Sequence, residues 1–433
     1  MSISSSLFSG VSGLASYGNS MAVIGDNIAN VNTIGFKGSS ATFEDALSQS
    51  IATAGGTYQL GRGVMLSAVT ASFAQGSFES TDQPTDLAIG GKGFFIVKNA
   101  DTGNVYYSRA GHFRYDVDGN FVNPVGLVAQ GWSVQENTDG SISTVGAIGD
   151  VVLSSNSSDP QATTTVTEAV NLDSTATAPS SAFSLNGATG AASNYNYITS
   201  LNVYDSLGET HAITIYFTKT SSSGVWKWNA VVGSSDSYTG SYEVQASGTL
   251  TFNSSGVLTA ETLALSGCLF DFTGGAAQNQ TVDFQYGTQS GAVSKSTQYS
   301  SASTTVYQNQ DGYGSGSLEQ ITVDPDGVIG GHYSNGQIIY LNKIALASFQ
   351  NPWGLTKRGG SLYSESRQSG QAITGPPGTA GMGKLSPNSL EQSNVDIASE
   401  FVRMIITQRA FQANSRIITT ADDMLAELIN LKR

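Results

Sequence analysis

The chain has 433 residues, of which only 12% are charged, with 50 Gly, 9 Pro, a single Cys and a formal net charge of −14. Globular chains average about 25% charged residues; here Ser, Thr, Asn and Gly take their place, which suits short strands and turns and argues against an α-rich cytosolic enzyme. The length allows roughly two to four domains. The acidity excludes nucleic acid and anionic membrane as ready partners, and one cysteine excludes a disulfide framework or a Cys-based zinc site.

The N-terminal stretch 4–31 reads as a helix. Leu7, Leu14, Met21 and Ile28 recur every seven residues, with Val11 between the first two and Gly18 and Gly25 continuing the Val11 spacing. Ser4–Ser6 can supply an N-cap and Gly35 a stop. Gly10, Gly13, Gly18 and Gly25 each cost about 1 kcal/mol against Ala, roughly 4 kcal/mol together. The segment is therefore expected to order only when a partner covers its stripe. The first Lys is Lys37 and no continuous apolar run precedes it, so a cleaved Sec signal is not expected. No stretch reaches the ~18 apolar residues of a membrane span.

Residues 36–75 read as a connecting segment. Beyond them the pattern is β. Phe94–Lys98 and Val105–Arg109 flank one turn, and His112–Asp116 and Phe121–Asn123 flank another. Tyr197–Asp205, His211–Thr220 and Val225–Gly233 predict a meander, in which Ile213, Ile215 and Phe217 alternate with polar neighbours. Further strands are predicted around 248–252, 257–265, 281–286, 320–323 and 337–347. Residues 151–317 hold three Lys and no Arg against eleven Asp and Glu, a net of −8. They are read as a domain inserted between the halves of a first β domain, 76–150 and 318–370. A Gly/Pro-rich linker, 371–389, follows.

The other end predicts a better helix. No Gly or Pro falls between Val395 and Leu431, and Ile397, Phe401, Met404, Ile405, Phe411, Ile418, Leu425 and Leu428 recur at helical steps. Such a helix is about 55 Å long and must project from a small domain. The N-terminal helix, in need of cover, is its natural partner.

No constellation of an enzyme, metal or cofactor site emerges. Asp116-Val-Asp118-Gly119-Asn120 and Asp324-Pro-Asp326-Gly327 lack the Gly and Glu that a calcium loop needs, and read as hairpin tips. Gly90-Gly91-Lys92-Gly93 precedes a strand rather than a helix, so it lacks the dipole of a phosphate cradle. His112 reads as a cross-strand polar partner beside Arg109 and Arg114. Tyr216, Trp226, Trp228 and Tyr238 read as core and cross-strand aromatics, and Cys268 as a small buried residue.

The ends also carry motifs. Asp26-Asn27-Ile28-Ala29-Asn30-Val31-Asn32-Thr33-Ile34-Gly35-Phe36-Lys37 resembles the N-terminal signature of the bacterial flagellar rod and hook axial proteins, with Asp26 where that family usually has Asn. Leu87–Phe95, Ser108–Phe113, Leu390–Asp396, Phe411–Asn414 and Ile417–Leu425 are similar to further motifs of the family, in the same order. Asn27, Asn30, Asn32, Gly35 and Phe36 are the signature positions. Rod members are short, so the inserted domain resembles the hook branch, as does Tyr204–Gly208.

The resemblance implies a fold that is mainly β with α-helical termini: two nested, discontinuous β domains and a coiled-coil-like terminal helical pair that orders on assembly. Residues 1–35 and 390–433 would pair as an inner tube, with 151–317 outermost. Leu7, Val11, Leu14, Met21, Ile28, Phe401, Ile405, Phe411, Ile418, Leu425 and Leu428 would carry assembly. The implied product is a curved, flexible tube that works as a universal joint. The implied partners are the chain itself, rod and hook–filament junction proteins, a hook cap and the flagellar type III export apparatus. No cofactor, nucleic acid or membrane insertion is implied, and the expected location is the extracellular flagellum. The alternatives are a distal rod protein and an extracellular β-rich adhesin or carbohydrate-binding module.

Overall fold

A computed structural model of the protein describes residues 2–46, 48–53, 56–137, 140–153, 156–263, 268–288 and 294–430. These residues fold mainly as β, with an α-helix at each end: α1, Ser2–Ala29, and α2, Ile397–Asn430. The chain divides into two compact units, residues 1–154, 320–332 and 338–433 in the first and 155–319 and 333–337 in the second.

In unit 1 the strand Phe94–Lys98 pairs antiparallel with Val105–Ser108 on one side, and with Val128–Glu136 and Leu346–Ser348 on the other. Phe95 and Val97 join one buried cluster with Phe113, Phe121 and Leu346. Phe94 and Ile96 join another with Tyr107, Phe349 and Tyr363. Both faces of this strand are covered, which is why it reads as an unbroken apolar run rather than an alternation.

Two segments differ from the sequence reading. Residues 36–75 are not a plain connector: Ser39–Asp45 pairs with Val64–Ala71, and Gln49–Thr53 with Gly56–Leu60. A two-stranded ribbon is marginal alone, and this one lies against α1, with Tyr17 and Phe43 rings 5.4 Å apart. Nor is 371–389 a free linker. Lys384–Pro387 pairs with Leu87–Gly90, and Ser389–Glu391 with Phe78–Ser80. Its Gly and Pro residues serve the tight turns that return the chain to the body of the unit, as where Gly378 donates its N–H to the Gly383 carbonyl.

Unit 2 contains a five-stranded antiparallel meander: Tyr197–Tyr204, Thr210–Lys219, Val225–Val232, Glu243–Phe252 and Leu258–Leu263. A second sheet joins Thr165–Asn171 to Asp283–Gln285 in parallel and to Thr304–Gln310 antiparallel. Phe217, Trp226, Trp228, Phe270, Phe284 and Tyr286 fill the core, so the tryptophans are packing residues. Tyr216 is buried and meets Phe183 and Tyr195, whereas Tyr238 is exposed. Cys268 is a free, buried thiol whose pKa burial pushes up.

Glu168 is also buried in this unit, 1% exposed, with the Thr199 hydroxyl beside its carboxylate. Desolvation lifts its pKa from 4.5 to about 8, opposed in part by the Thr199 hydroxyl. Between these two values the folded state holds a proton that the unfolded chain has released. Unit 2 therefore loses stability as pH rises through this window, by up to roughly 5 kcal/mol. Glu168→Gln is expected to flatten that dependence. Chemical denaturation at pH 5, 7 and 9 checks it, and an unchanged slope would count against the buried acid.

Candidate functional site

The described geometry converges on the base of the two terminal helices, where three separated segments of unit 1 meet. Glu391, fully buried, receives the Lys37 ammonium at 2.6 Å on Oε1 and the Arg109 guanidinium at 3.3 Å on Oε2. Lys37 also donates to the Ala74 carbonyl at 2.8 Å, and the Gly76 N–H donates to Glu391 Oε1 at 2.9 Å. Arg109 Nη2 donates to the Gly91 carbonyl at 2.7 Å, and its guanidinium stands 5.4 Å from the Phe94 ring centroid. Burial lowers the pKa of both cations, and Glu391 pulls each back toward its charged form. Each side chain is buried, so each needs its partners.

The signature residues surround this network. Asn27 is buried at the end of α1; its amide accepts from the Ser39 N–H at 2.8 Å and donates to the Ser39 carbonyl at 2.7 Å. Asn30 donates to the Asp26 carbonyl at 2.9 Å and accepts from Thr33 Oγ1, closing the helix end. Gly35 takes φ +68°, where an added Cβ would run into the Ala110 backbone, and its N–H donates to the Glu391 carbonyl. The Lys357 ammonium stands 5.2 Å from the Phe36 ring centroid. Asn32 is exposed. On the other helix, Asp396 Oδ1 accepts from the Ser399 N–H at 2.7 Å as an N-cap, a bond that lowers its pKa. Asn394 donates to the carbonyls of Ser72 and Ala74 and accepts from the Gly38 N–H.

Above this base α1 and α2 run antiparallel. A Cβ on Gly10 would lie 2.9 Å from Ile418 Cγ1, and one on Gly13 would press into the Asn414 amide. Two of the glycines that weaken α1 thus permit the close approach of α2. The buried seam of α1 is Gly10, Gly13, Ser16, Ser20, Ile24 and Asn27, mostly small residues. It is not the seven-residue stripe, since Leu7, Leu14, Met21 and Ile28 are only half-buried and Val11 is exposed. Likewise Phe401, Ile405 and Phe411 are exposed on α2, while Ile418 and Leu425 are half-buried. The side chain of Leu428 lies outside the described residues. The helix begins at Ser2, ahead of the Ser4–Ser6 cap expected, and ends at Ala29, ahead of Gly35.

His112 makes the cross-strand polar pair expected of it, bridged antiparallel to Asp86 with Nδ1 2.6 Å from Oδ1. Asp116 and Asp324 accept backbone N–H groups across their hairpin turns. In unit 2, Asp205, Glu209 and His211 bring ligating atoms within 4.8 Å of one another. The Asp205 carboxylate is already engaged, by the N–H groups of Leu207 and Glu209 on Oδ1 and by His211 Nε2 at 3.2 Å on Oδ2. This cluster therefore locks the Tyr204–Gly208 turn.

Comparison with known proteins bears on the whole chain. Residues 7–37 match the family described as flagella basal body rod protein, 88–158 the flagellar hook protein FlgE/F/G D1 domain, 171–313 the flagellar basal body protein FlaE D2 domain, and 386–431 the flagellar basal body rod FlgEFG protein C-terminal family. The flagellar hook protein FlgE of Borreliella burgdorferi is 37% identical over 99% of both chains, and that of Salmonella typhimurium 34% identical over 98% of both. The chain belongs to the flagellar hook protein family.

The crystal structure of the Helicobacter pylori flagellar hook protein FlgE2 shares the fold, with a TM-score of 0.50 and 16% identity, covering 72% of this chain and all of that one. The hook family is a structural one. The Lys37–Glu391–Arg109 network was not singled out from the sequence. Each member does lie inside a motif that carried the family resemblance, and pairing the charged residues of those motifs was the available signal.

Proposed function

We propose that this chain is the structural subunit of a flagellar hook, self-assembling into a curved tube that transmits motor torque while bending. The observation that carries the reading is the full-length relationship to hook proteins, joined to terminal helices whose apolar faces are left uncovered. Ile397, Phe401, Val402, Ile405 and Ile406 are each 45–61% exposed, in one contiguous run of α2. A patch of that kind marks an interaction surface. α1 contributes Phe8 and Val11, 64% and 53% exposed.

In this reading neighbouring copies cover those faces. Leu7, Val11, Leu14, Met21 and Ile28, with Phe401, Ile405, Phe411, Ile418, Leu425 and Leu428, form the helical wall of an inner tube. The β domain of 76–150 and 318–370 surrounds it, and the acidic insert 151–317 faces outward. The base network fixes the helices to the β body, so torque on one is carried to the other. Outer surfaces rich in Ser, Thr and Asn exchange hydrogen bonds with water at little net cost, which lets neighbours slide as the tube bends. Rod and junction proteins at the two ends, a hook cap and the type III export apparatus complete the set of partners. The subunit reaches the cell exterior through that apparatus.

Electron microscopy of the concentrated full chain tests the reading. Curved hollow tubes are expected. A monomer under all conditions, including seeding with hook fragments, would contradict it.

A further inference from the structure

We infer that the groove beside Trp353 is a contact between copies of this chain, occupied by the acidic turn Asp116–Asn120 of a second copy. The inference rests on the reading that the chain polymerises, and it names one of the contacts that would hold the polymer.

The socket is a cavity of about 440 Å³ in unit 1, with Phe73, Phe94 and Phe349 in its wall and Trp353 on its rim. Trp353 is 67% exposed. It and Phe73 also border a second hollow of about 390 Å³, so the indole stands as a ridge between two partly apolar depressions. Tryptophan in such a position is the residue type most enriched among interface hot spots. The charged residues of the first cavity are Lys92 and Arg109. Arg109 is committed to Glu391 and Gly91. Lys92 is exposed and forms no ion pair among the described residues, so the socket presents one free cation beside aromatic surface.

The same unit carries a matching projection. Val117 is fully exposed at the tip of the turn that joins Arg114–Tyr115 to Phe121–Val122, between Asp116 and the exposed Asp118. The turn is rigid. Asp116 Oδ1 accepts the N–H groups of Asp118 at 3.0 Å and Asn120 at 2.8 Å, and the Gly119 N–H donates to the Asp116 carbonyl. A preorganised tip loses little conformational freedom on docking. An apolar point flanked by carboxylate suits an aromatic hollow with an ammonium on its rim, with Asp118 set against Lys92. Tip and socket are different patches of one chain. A contact between them is heterologous, and repetition of such a contact builds an open helical polymer rather than a closed dimer.

The experiment compares polymerisation of the full chain with that of Val117→Asp, Trp353→Ser, Asp118→Lys, Lys92→Asp and the double swap Asp118→Lys/Lys92→Asp, by light scattering and electron microscopy. Circular dichroism melts serve to show that these surface changes leave the fold intact. Val117→Asp and Trp353→Ser are each expected to raise the critical concentration about thirtyfold. The single charge reversals should raise it about fivefold, and the double swap should return it to within about twofold of the unmodified chain. Unchanged polymerisation of Val117→Asp or Trp353→Ser, while the unmodified chain forms tubes, overturns this contact and leaves the hook reading standing. Loss in both charge reversals without recovery in the swap overturns it as well. Failure of the unmodified chain to form tubes overturns both readings.

Discussion

Replacing Glu391 by Ala is expected to destabilise unit 1 by about 3 to 5 kcal/mol. The carboxylate is fully buried and holds two buried cations, Lys37 at 2.6 Å and Arg109 at 3.3 Å. Its removal strands both ammonium and guanidinium in a dry site, and it also leaves the Gly76 N–H without its acceptor. The loss is that of an unpaired buried charge rather than of one ion pair. A compensated variant, Lys37→Met/Arg109→Met/Glu391→Leu, should accordingly recover most of the stability, because an apolar set of similar volume carries no desolvation penalty. Urea unfolding followed by tryptophan fluorescence and circular dichroism measures both. A loss below about 1 kcal/mol for Glu391→Ala would show that water reaches the site. Because the segments around Lys37 and Glu391 lead directly into α1 and α2, the same variant should also lose tube formation at concentrations where the parent assembles.

Gly10→Leu is the second large effect. A Cβ at that position already lies 2.9 Å from Ile418 Cγ1 and 3.4 Å from the Asn414 carbonyl oxygen. A further three carbons cannot be housed without driving the helices apart. Overpacking of this kind costs about 1 to 3 kcal/mol locally, more than the roughly 1 kcal/mol of helix propensity that replacing glycine returns. The expected outcome is a subunit whose β units melt normally but which no longer forms tubes. Sedimentation after dilution from denaturant checks it. Normal tubes from Gly10→Leu would mean that α1 and α2 do not keep this crossing in the polymer.

What the sequence disclosed and what it hid follow from the range of the interactions. The helices were legible because their pattern is local: α2 runs 34 residues without Gly or Pro. The strands 94–98 and 210–219 were legible from an apolar run and an alternation. The network at the helix base was hidden because its partners are far apart in the chain, Lys37 from Glu391 by 354 positions and Arg109 from Glu391 by 282. The ribbon 39–71 was hidden because its strands, rich in Ser, Thr and Ala, show no strong apolar alternation and are stabilised by lying on α1. The glycines of α1 were read as a cost. For Gly10 and Gly13 the packing supplies the reason, the closeness of α2. Gly18 and Gly25 have nothing within 4 Å of an added Cβ, so no contact among the described residues accounts for them.

The radial order of the assembled tube tests the account most directly. An electron cryo-microscopy map of tubes grown from the full chain should place α1 and α2 innermost. The exposed run Ile397–Ile406 should then be covered by neighbouring copies, and residues 155–319 should lie at the outer radius. A map in which the helices lie outside the β units, or in which that run of α2 still faces solvent, would contradict it.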